Sequence, residues 1–177
     1  MLDVSVAYNR YKFLGCEFLT WLWFLTETGP GSIVDAGGKP VTLVLGNRIV
    51  LENHRRESME TITIKGSESE LEEGRLALKK GAVVTEMNLN MVCDDKTWTF
   101  DIKGESLELS GLKVPDTDGG ADGELETVVL EKIASYEKVQ AFVRHMYARF
   151  IRLRVDGEWD RKTVGLIRKW MLSSGSD

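Results

Sequence analysis

The sequence predicts an α+β protein: antiparallel β-hairpins forming a sheet, packed with helices, and a helical C-terminal region. Three observations predict it. Leu14 to Thr28 is apolar almost all round. Short runs between Val41 and Lys113 alternate apolar with polar residues and are separated by turn residues. From Leu125 onward apolar residues recur every three or four positions, the repeat of a helix rather than a strand. The expected organisation is an α+β core over 1–113, an acidic Gly/Asp loop over 114–123, and a helical region over 124–177 packed on the same domain.

The first helix carries Phe18, Leu19, Trp21, Leu22, Trp23, Phe24 and Leu25. A helix with no polar face has to be buried, in its own fold or in a subunit contact, so a homodimer suits it. Its tryptophans also have the chemistry of a base-stacking platform, but core packing is the preferred reading. Pro30 and Gly31 end the element. Val41 to Leu45 and Arg48 to Glu52 flank Gly46-Asn47, a pair that suits a tight hairpin turn. Glu60 to Lys65 alternates, with Ile62 and Ile64 on one face and Thr61 and Thr63 on the other.

Ser67 followed by Glu70 is a capping-box pattern, which starts a helix. Leu71, Ala77 and Leu78 mark its buried side. Lys79 and Lys80 suit the negative end of the helix dipole, and Gly81 supplies the stop. Ala82 to Cys93 and Thr97 to Lys103 predict a second hairpin across Asp94-Asp95-Lys96, and Ser106 to Lys113 a further short strand. The segment Val114 to Gly123 is a break. Asp116, Asp118, Asp122 and Glu124 within and after it do not meet the calcium-loop pattern, because Gly120 stands where a ligand is needed and Ala121 where a Gly is needed. Beyond it, Leu125, Val128, Val129, Ile133, Tyr136, Val139, Phe142, Val143, Met146, Phe150 and Leu153 predict one long helix or two with a continuous buried side. Asp156-Gly157 breaks the pattern. A last helix over Glu158 to Leu172 turns Trp159, Leu166, Ile167 and Trp170 inward.

The chain has 177 residues, 42% apolar and 29% charged, enough for one domain with a true core. No run approaches the roughly 18 apolar residues of a spanning helix, and no secretory leader is recognisable, so a cytoplasmic location is expected. Cys16 and Cys93 then read as reduced thiols. His54 and His145 stand in no metal-ligand spacing, and no phosphate-cradling or nucleophile-elbow motif occurs. No catalytic residue, metal site or cofactor is assigned, and a non-enzymatic role is expected.

Charge carries the functional signal. The net charge is −5. Between Lys138 and Trp170, however, nine basic residues stand against three acidic ones, a balance of +6 that leaves −11 for the remainder. That asymmetry is what a phosphate-binding footprint looks like in a sequence, and equally what a solvated helix face paired with an acidic half looks like.

The segment Leu71 to Cys93 resembles the C-terminal half of the recombination-associated RdgC family: a capped helix ends in a Gly, and Lys80-Gly81-Ala82-Val83-Val84-Thr85 leads into a strand with Met87, Leu89 and Met91 alternating. The run from Phe13 to Trp23, and Phe150-Ile151-Arg152-Leu153-Arg154 with Trp159, are similar to divergent members, and the chain reads as a truncated one. The resemblance implies a ring-forming homodimer that binds double-stranded DNA without sequence preference, is associated with the nucleoid and restrains the recombinase RecA. It places a DNA-facing segment near Ile64-Lys65-Gly66, with Arg55 and Arg56 upstream. The residues expected to meet DNA are Lys65, Lys79, Lys80, Arg144, Arg149, Arg152, Arg154, Arg161, Lys162 and Arg168. The alternative is a protein-interaction module, such as a phage- or prophage-borne inhibitor, gripping a protein partner through its acidic half or its apolar first helix.

Overall fold

A computed structural model describes residues 13–29, 33–55, 58–65, 68–115 and 125–173. It confirms the α+β class. The elements are α1 (Phe13–Thr28), β1 (Thr42–Arg55), β2 (Ser58–Ile64), α2 (Glu68–Lys79), β3 (Val83–Cys93), β4 (Lys96–Lys103), β5 (Leu109–Lys113), α3 (Leu125–Val155) and α4 (Val164–Leu172), the last preceded by a π turn at Trp159–Thr163. The strands form one antiparallel sheet in the order β2-β1-β3-β4-β5. No helix among the described residues is long and apolar enough to cross a membrane.

The inward face of the sheet supplies Leu43, Ile49, Leu51, Val84, Met87, Leu89, Met91, Trp98, Phe100 and Ile102. Period-two alternation, reset by irregularities in the pairing of β1 with β3, puts these on one side, where the helices cover them. The other side is open and polar: Thr42, Thr61, Thr63 and Thr97 are exposed there. Helix α1 lies in the centre of the core, with Phe18, Leu19 and Trp23 at 0% exposure. Its surroundings are aromatic. Phe18 meets Tyr147 and Phe150 of α3, and Trp23 meets Trp170 of α4 edge to face at 5.2 Å. One hydrophobic cluster therefore runs from α1 through the sheet to α3 and α4. The helical C-terminal region is packed on the same core as the rest.

Local signals are realised where they were strongest. At the end of α2 the N–H of Gly81 donates to Leu78 O and that of Ala82 to Ala77 O, with Gly81 at φ +95. That bonding pair is a Schellman stop, which needs a residue tolerant of the left-handed region. Glu70 reaches back to accept from the Lys65 backbone N–H at 3.1 Å. Ser67, its expected capping partner, lies outside the described residues, as do Pro30, Gly31, Arg56, Gly66 and residues 116–124. Asp94 and Asp95 both take positive φ (51 and 59) between β3 and β4, which matches the twist of a two-residue hairpin turn. Cys16 and Cys93 are not joined in a disulfide.

Three expectations are corrected. Gly46-Asn47 is not a hairpin turn: β1 runs through it without reversing, and the hairpin partner of β1 is β2. The register of β1 on β3 jumps from Leu45↔Leu89 to Ile49↔Met87, so Gly46, Asn47 and Arg48 bulge opposite Asn88. The Asn88 side chain explains it. Its Oδ1 accepts from the Asn47 N–H at 3.2 Å, and its Nδ2 donates to Asp101 Oδ1 at 2.9 Å. A Cβ on Gly46 would stand 1.9 Å from that Oδ1, so only glycine fits the bulge.

The second correction concerns the buried side of the long helix. Residues 125–155 do form one helix, but burial starts only at Val139. Val129, Ile133 and Tyr136 keep the helical spacing and are 47%, 50% and 42% exposed, because the core begins only beyond them; Tyr136 borders a groove, beside Leu107 and Leu109. Third, Leu166 is exposed rather than inward. The π turn just before it adds a residue to one turn and rotates α4, so Ile167 and Trp170 take the inner side alone.

Candidate nucleic-acid interface

The ten cations expected from the sequence divide into two groups in the structure. Three are engaged within the fold. Arg154, near the end of α3, is half-buried, ion-paired to Glu17 of α1, and lies 5.4 Å from the centre of the Trp159 ring. Arg149 is half-buried, with its guanidinium 5.8 Å from the centre of the Trp21 ring. Arg161 donates to the carbonyls of Asp156 at 2.6 Å and Gly157 at 3.2 Å, and pairs with Glu158. Those carbonyls stand at the C-terminal end of α3, where a cation is favoured, and the Gly157 carbonyl also accepts from the Arg161 backbone N–H at 3.2 Å. Arg154 and Arg161 thus brace the corner at which α3 turns into α4, while Arg149 packs on α1. The Arg161 side chain stays 69% exposed.

Lys65, Lys79, Lys80, Arg144, Arg152, Lys162 and Arg168 are exposed, and none has an ion pair to another described residue. Lys169 belongs with them and was not among the expected contacts; it is exposed beside Arg168. Its signal in the sequence was there: with Ile167 and Trp170 inward, Arg168 and Lys169 fall outward by default. The solvent side of α4 thus collects Arg168 and Lys169, with Lys162 exposed in the π turn just before it. Arg144 and Arg152 both point to solvent from α3, about 80° apart and about 12 Å along the axis. Arg152 and Arg154 splay to opposite sides of it, one free and one consumed. Lys79 and Lys80 end α2, which packs against α4. Lys65 stands at the end of β2, on the far side of α2 from that pair.

Trp21 and Trp23 are 2% and 0% exposed, so neither is a stacking platform, while Phe13 at the start of α1 is 46% exposed. The open face of the sheet carries no aromatic side chain among the described residues; it holds instead the pairs Thr99–Asn90 and Asn88–Asp101 and the Arg48–Glu86 bridge at 2.9 Å. No described aromatic side chain is exposed on that face to stack a base, and the exposed cations suit phosphates first. Among the described residues no group of three or more His, Cys, Asp or Glu side chains is placed to hold a metal ion. A groove of about 460 Å³ beside the start of α1 is lined by Phe13, Cys16, Glu52, Lys103 and Glu105.

Burial raises the Glu17 carboxyl above its ordinary value of 4.5; the Arg154 guanidinium opposes the shift and Asp160 adds to it. The folded state therefore holds this proton more tightly than the unfolded chain does. The stability linked to Glu17 is fully present below pH 4.5 and is lost as the pH rises through the raised value. Glu17→Gln removes the titration. Urea unfolding at stepped pH is expected to show wild type losing stability relative to that variant as the pH climbs from 4.5. A difference that stays flat, or grows with pH, would show that the Arg154 pair outweighs burial.

No protein-family model, curated protein or solved structure matches the chain.

Proposed function

We propose that the chain binds duplex DNA without sequence preference, through Lys162 of the π turn, Arg168 and Lys169 of α4 and Arg144 and Arg152 of α3, with Lys79 and Lys80 beside α4. One observation carries this reading: in a chain with five surplus negative charges, these cations stay exposed and unpaired with any described carboxylate. Arg154 and Arg161, by contrast, pair with carboxylates of their own chain. Free lysines and arginines on helices suit phosphates, which give affinity and no sequence readout. Restraint of a recombinase such as RecA belongs to the same proposal and rests on the sequence resemblance to RdgC alone. A protein-interaction role draws on a different surface, the exposed apolar part of α3.

Binding to a labelled duplex of arbitrary sequence, titrated over salt from about 50 to 200 mM, tests the proposal. Wild type is expected to bind with a steep fall in affinity across that range. The triple variant Lys162→Ala/Arg168→Ala/Lys169→Ala should lose affinity equally for unrelated sequences and flatten the salt slope by about three. Arg154→Ala, at a cation already consumed in the fold, should lose stability and leave the slope unchanged. Absence of binding at about 50 mM salt, or a triple variant that binds as wild type does, would sink the reading.

A further inference from the structure

Helix α3 is 31 residues long, about 46 Å, and its first buried residue is Val139. The part before that stands clear of the core. On it Val129, Leu130, Ile133 and Tyr136 are 47%, 58%, 50% and 42% exposed. Four large apolar side chains on one helical segment form a patch rather than scattered surface residues. The segment also includes the β-branched Thr127, Val128, Val129 and Ile133, poor helix formers that gain most from a packing partner.

The spacing tells what kind of partner fits. Val129, Ile133, Tyr136 and Gln140 follow one another at four, three and four residues, the d-a-d-a seam of a coiled coil with β-branched Ile133 at a. Lys132 then takes position g and Glu137 position e. Five residues apart, they lie about 140° from each other on one helix and do not meet. In a parallel pair of helices, position g of one chain faces position e of the following heptad in the other. Lys132 of each copy then meets Glu137 of its partner, twice by symmetry. Antiparallel pairing sets g against g and e against e, and the complementarity is lost. At its far end the seam enters the groove of about 400 Å³ that Tyr136, Gln140 and Val143 form with Leu107 and Leu109 of the same chain. The free apolar seam thus runs from Val129 to Tyr136, little more than one heptad, with Glu126 at the a position before it.

We propose that a second copy of this chain covers the stripe, the exposed parts of the two α3 helices running parallel with Lys132 of each against Glu137 of the other. Half-exposed as they are, the four side chains offer on the order of 300 Å² per copy, under half of the ~800 Å² that a standard interface takes from each partner. The dimer is therefore weak and concentration-dependent. The inference is independent of DNA binding.

Sedimentation velocity on the full chain without nucleic acid, from about 1 to 200 µM at low salt, tests it. Wild type is expected to pass from monomer to dimer over that range. Ile133→Glu should remain monomeric with an unchanged melting temperature, because residue 133 lies outside the core. Lys132→Glu should raise the dissociation constant by about tenfold, since two attractive pairs become repulsive, and Lys132→Glu/Glu137→Lys should restore it. A wild type that stays monomeric throughout overturns the proposal and assigns the stripe to a different protein. A Lys132→Glu variant that dimerises as wild type does overturns the parallel register.

Discussion

Gly15→Ala lowers stability by about 3 kcal/mol, read as a fall in the urea midpoint at unchanged slope. A Cβ at residue 15 would lie 1.6 Å from the carbonyl oxygen of Gly104 and 2.7 Å from its carbonyl carbon. Both are backbone atoms, so no rotamer change relieves the clash; either α1 or the turn after β4 must move. The turn has little freedom, because the Gly104 N–H donates to Thr85 O at 2.7 Å and fixes it to β3. The helix has little either, with Phe18 and Leu19 fully buried one turn on. Gly165→Ala is the matched control: nothing lies within 4 Å of its added Cβ, and the change should be neutral or gain up to about 1 kcal/mol through helix propensity. A Gly15→Ala protein within about 0.5 kcal/mol of wild type would mean the crossing of α1 over the turn is looser than described.

Glu27→Ala is expected to cost about as much, for an electrostatic reason. Its carboxylate accepts from the indole N–H of Trp23 at 2.6 Å and of Trp170 at 2.7 Å, and pairs with Arg75 of α2 at 3.0 Å. One side chain at the end of α1 thus joins three helices. The Arg75 side chain is only 16% exposed, so truncation leaves a guanidinium mostly out of water without its partner, along with two indole donors. Unmade bonds to charged and buried groups cost about 1–3 kcal/mol each, partly recovered by relaxation and water, so a net loss of about 3 kcal/mol is reasonable. In a chain of this length that is a drop in melting temperature of roughly 6–12 °C. Arg75→Ala in the Glu27→Ala background should then cost much less than in wild type, because the two share one network. Additive losses in that cycle would show that Glu27 and Arg75 act separately. Since Trp170 seats α4, Glu27→Ala should also loosen the helix bearing Arg168 and Lys169, with Lys162 just before it. The proposed DNA binding is best assayed for both proteins well below their melting points.

What the sequence determined by itself was set by short-range physics. An α1 with no polar face had to be buried, whichever neighbours it found. Lys80-Gly81-Ala82 had to stop α2, because glycine alone enters the left-handed region without strain. Asp94-Asp95 between two alternating runs produced the β3–β4 hairpin for a related reason: both residues tolerate positive φ. The count of cations between Lys138 and Trp170 was likewise plain.

The tertiary structure decided what each of these groups was for. Gly46-Asn47 has the local chemistry of a turn, yet Asn88 supplies a bonding partner from 41 residues away and β1 passes straight through. The apolar repeat of α3 is continuous from Val129 to Phe150, and nothing in its spacing marks Val139 as the point where the core begins. Period fixes which residues share a face; only the position of other elements fixes whether that face is covered. Arg152 and Arg154 have the same chemistry two residues apart, but Glu17 and Trp159 stand on one side of the helix and solvent on the other. A side chain's intrinsic properties are written at its own position, whereas its partner is brought there by the packing of distant segments, and it is the partner that decides whether a charge or an apolar surface remains free for another molecule.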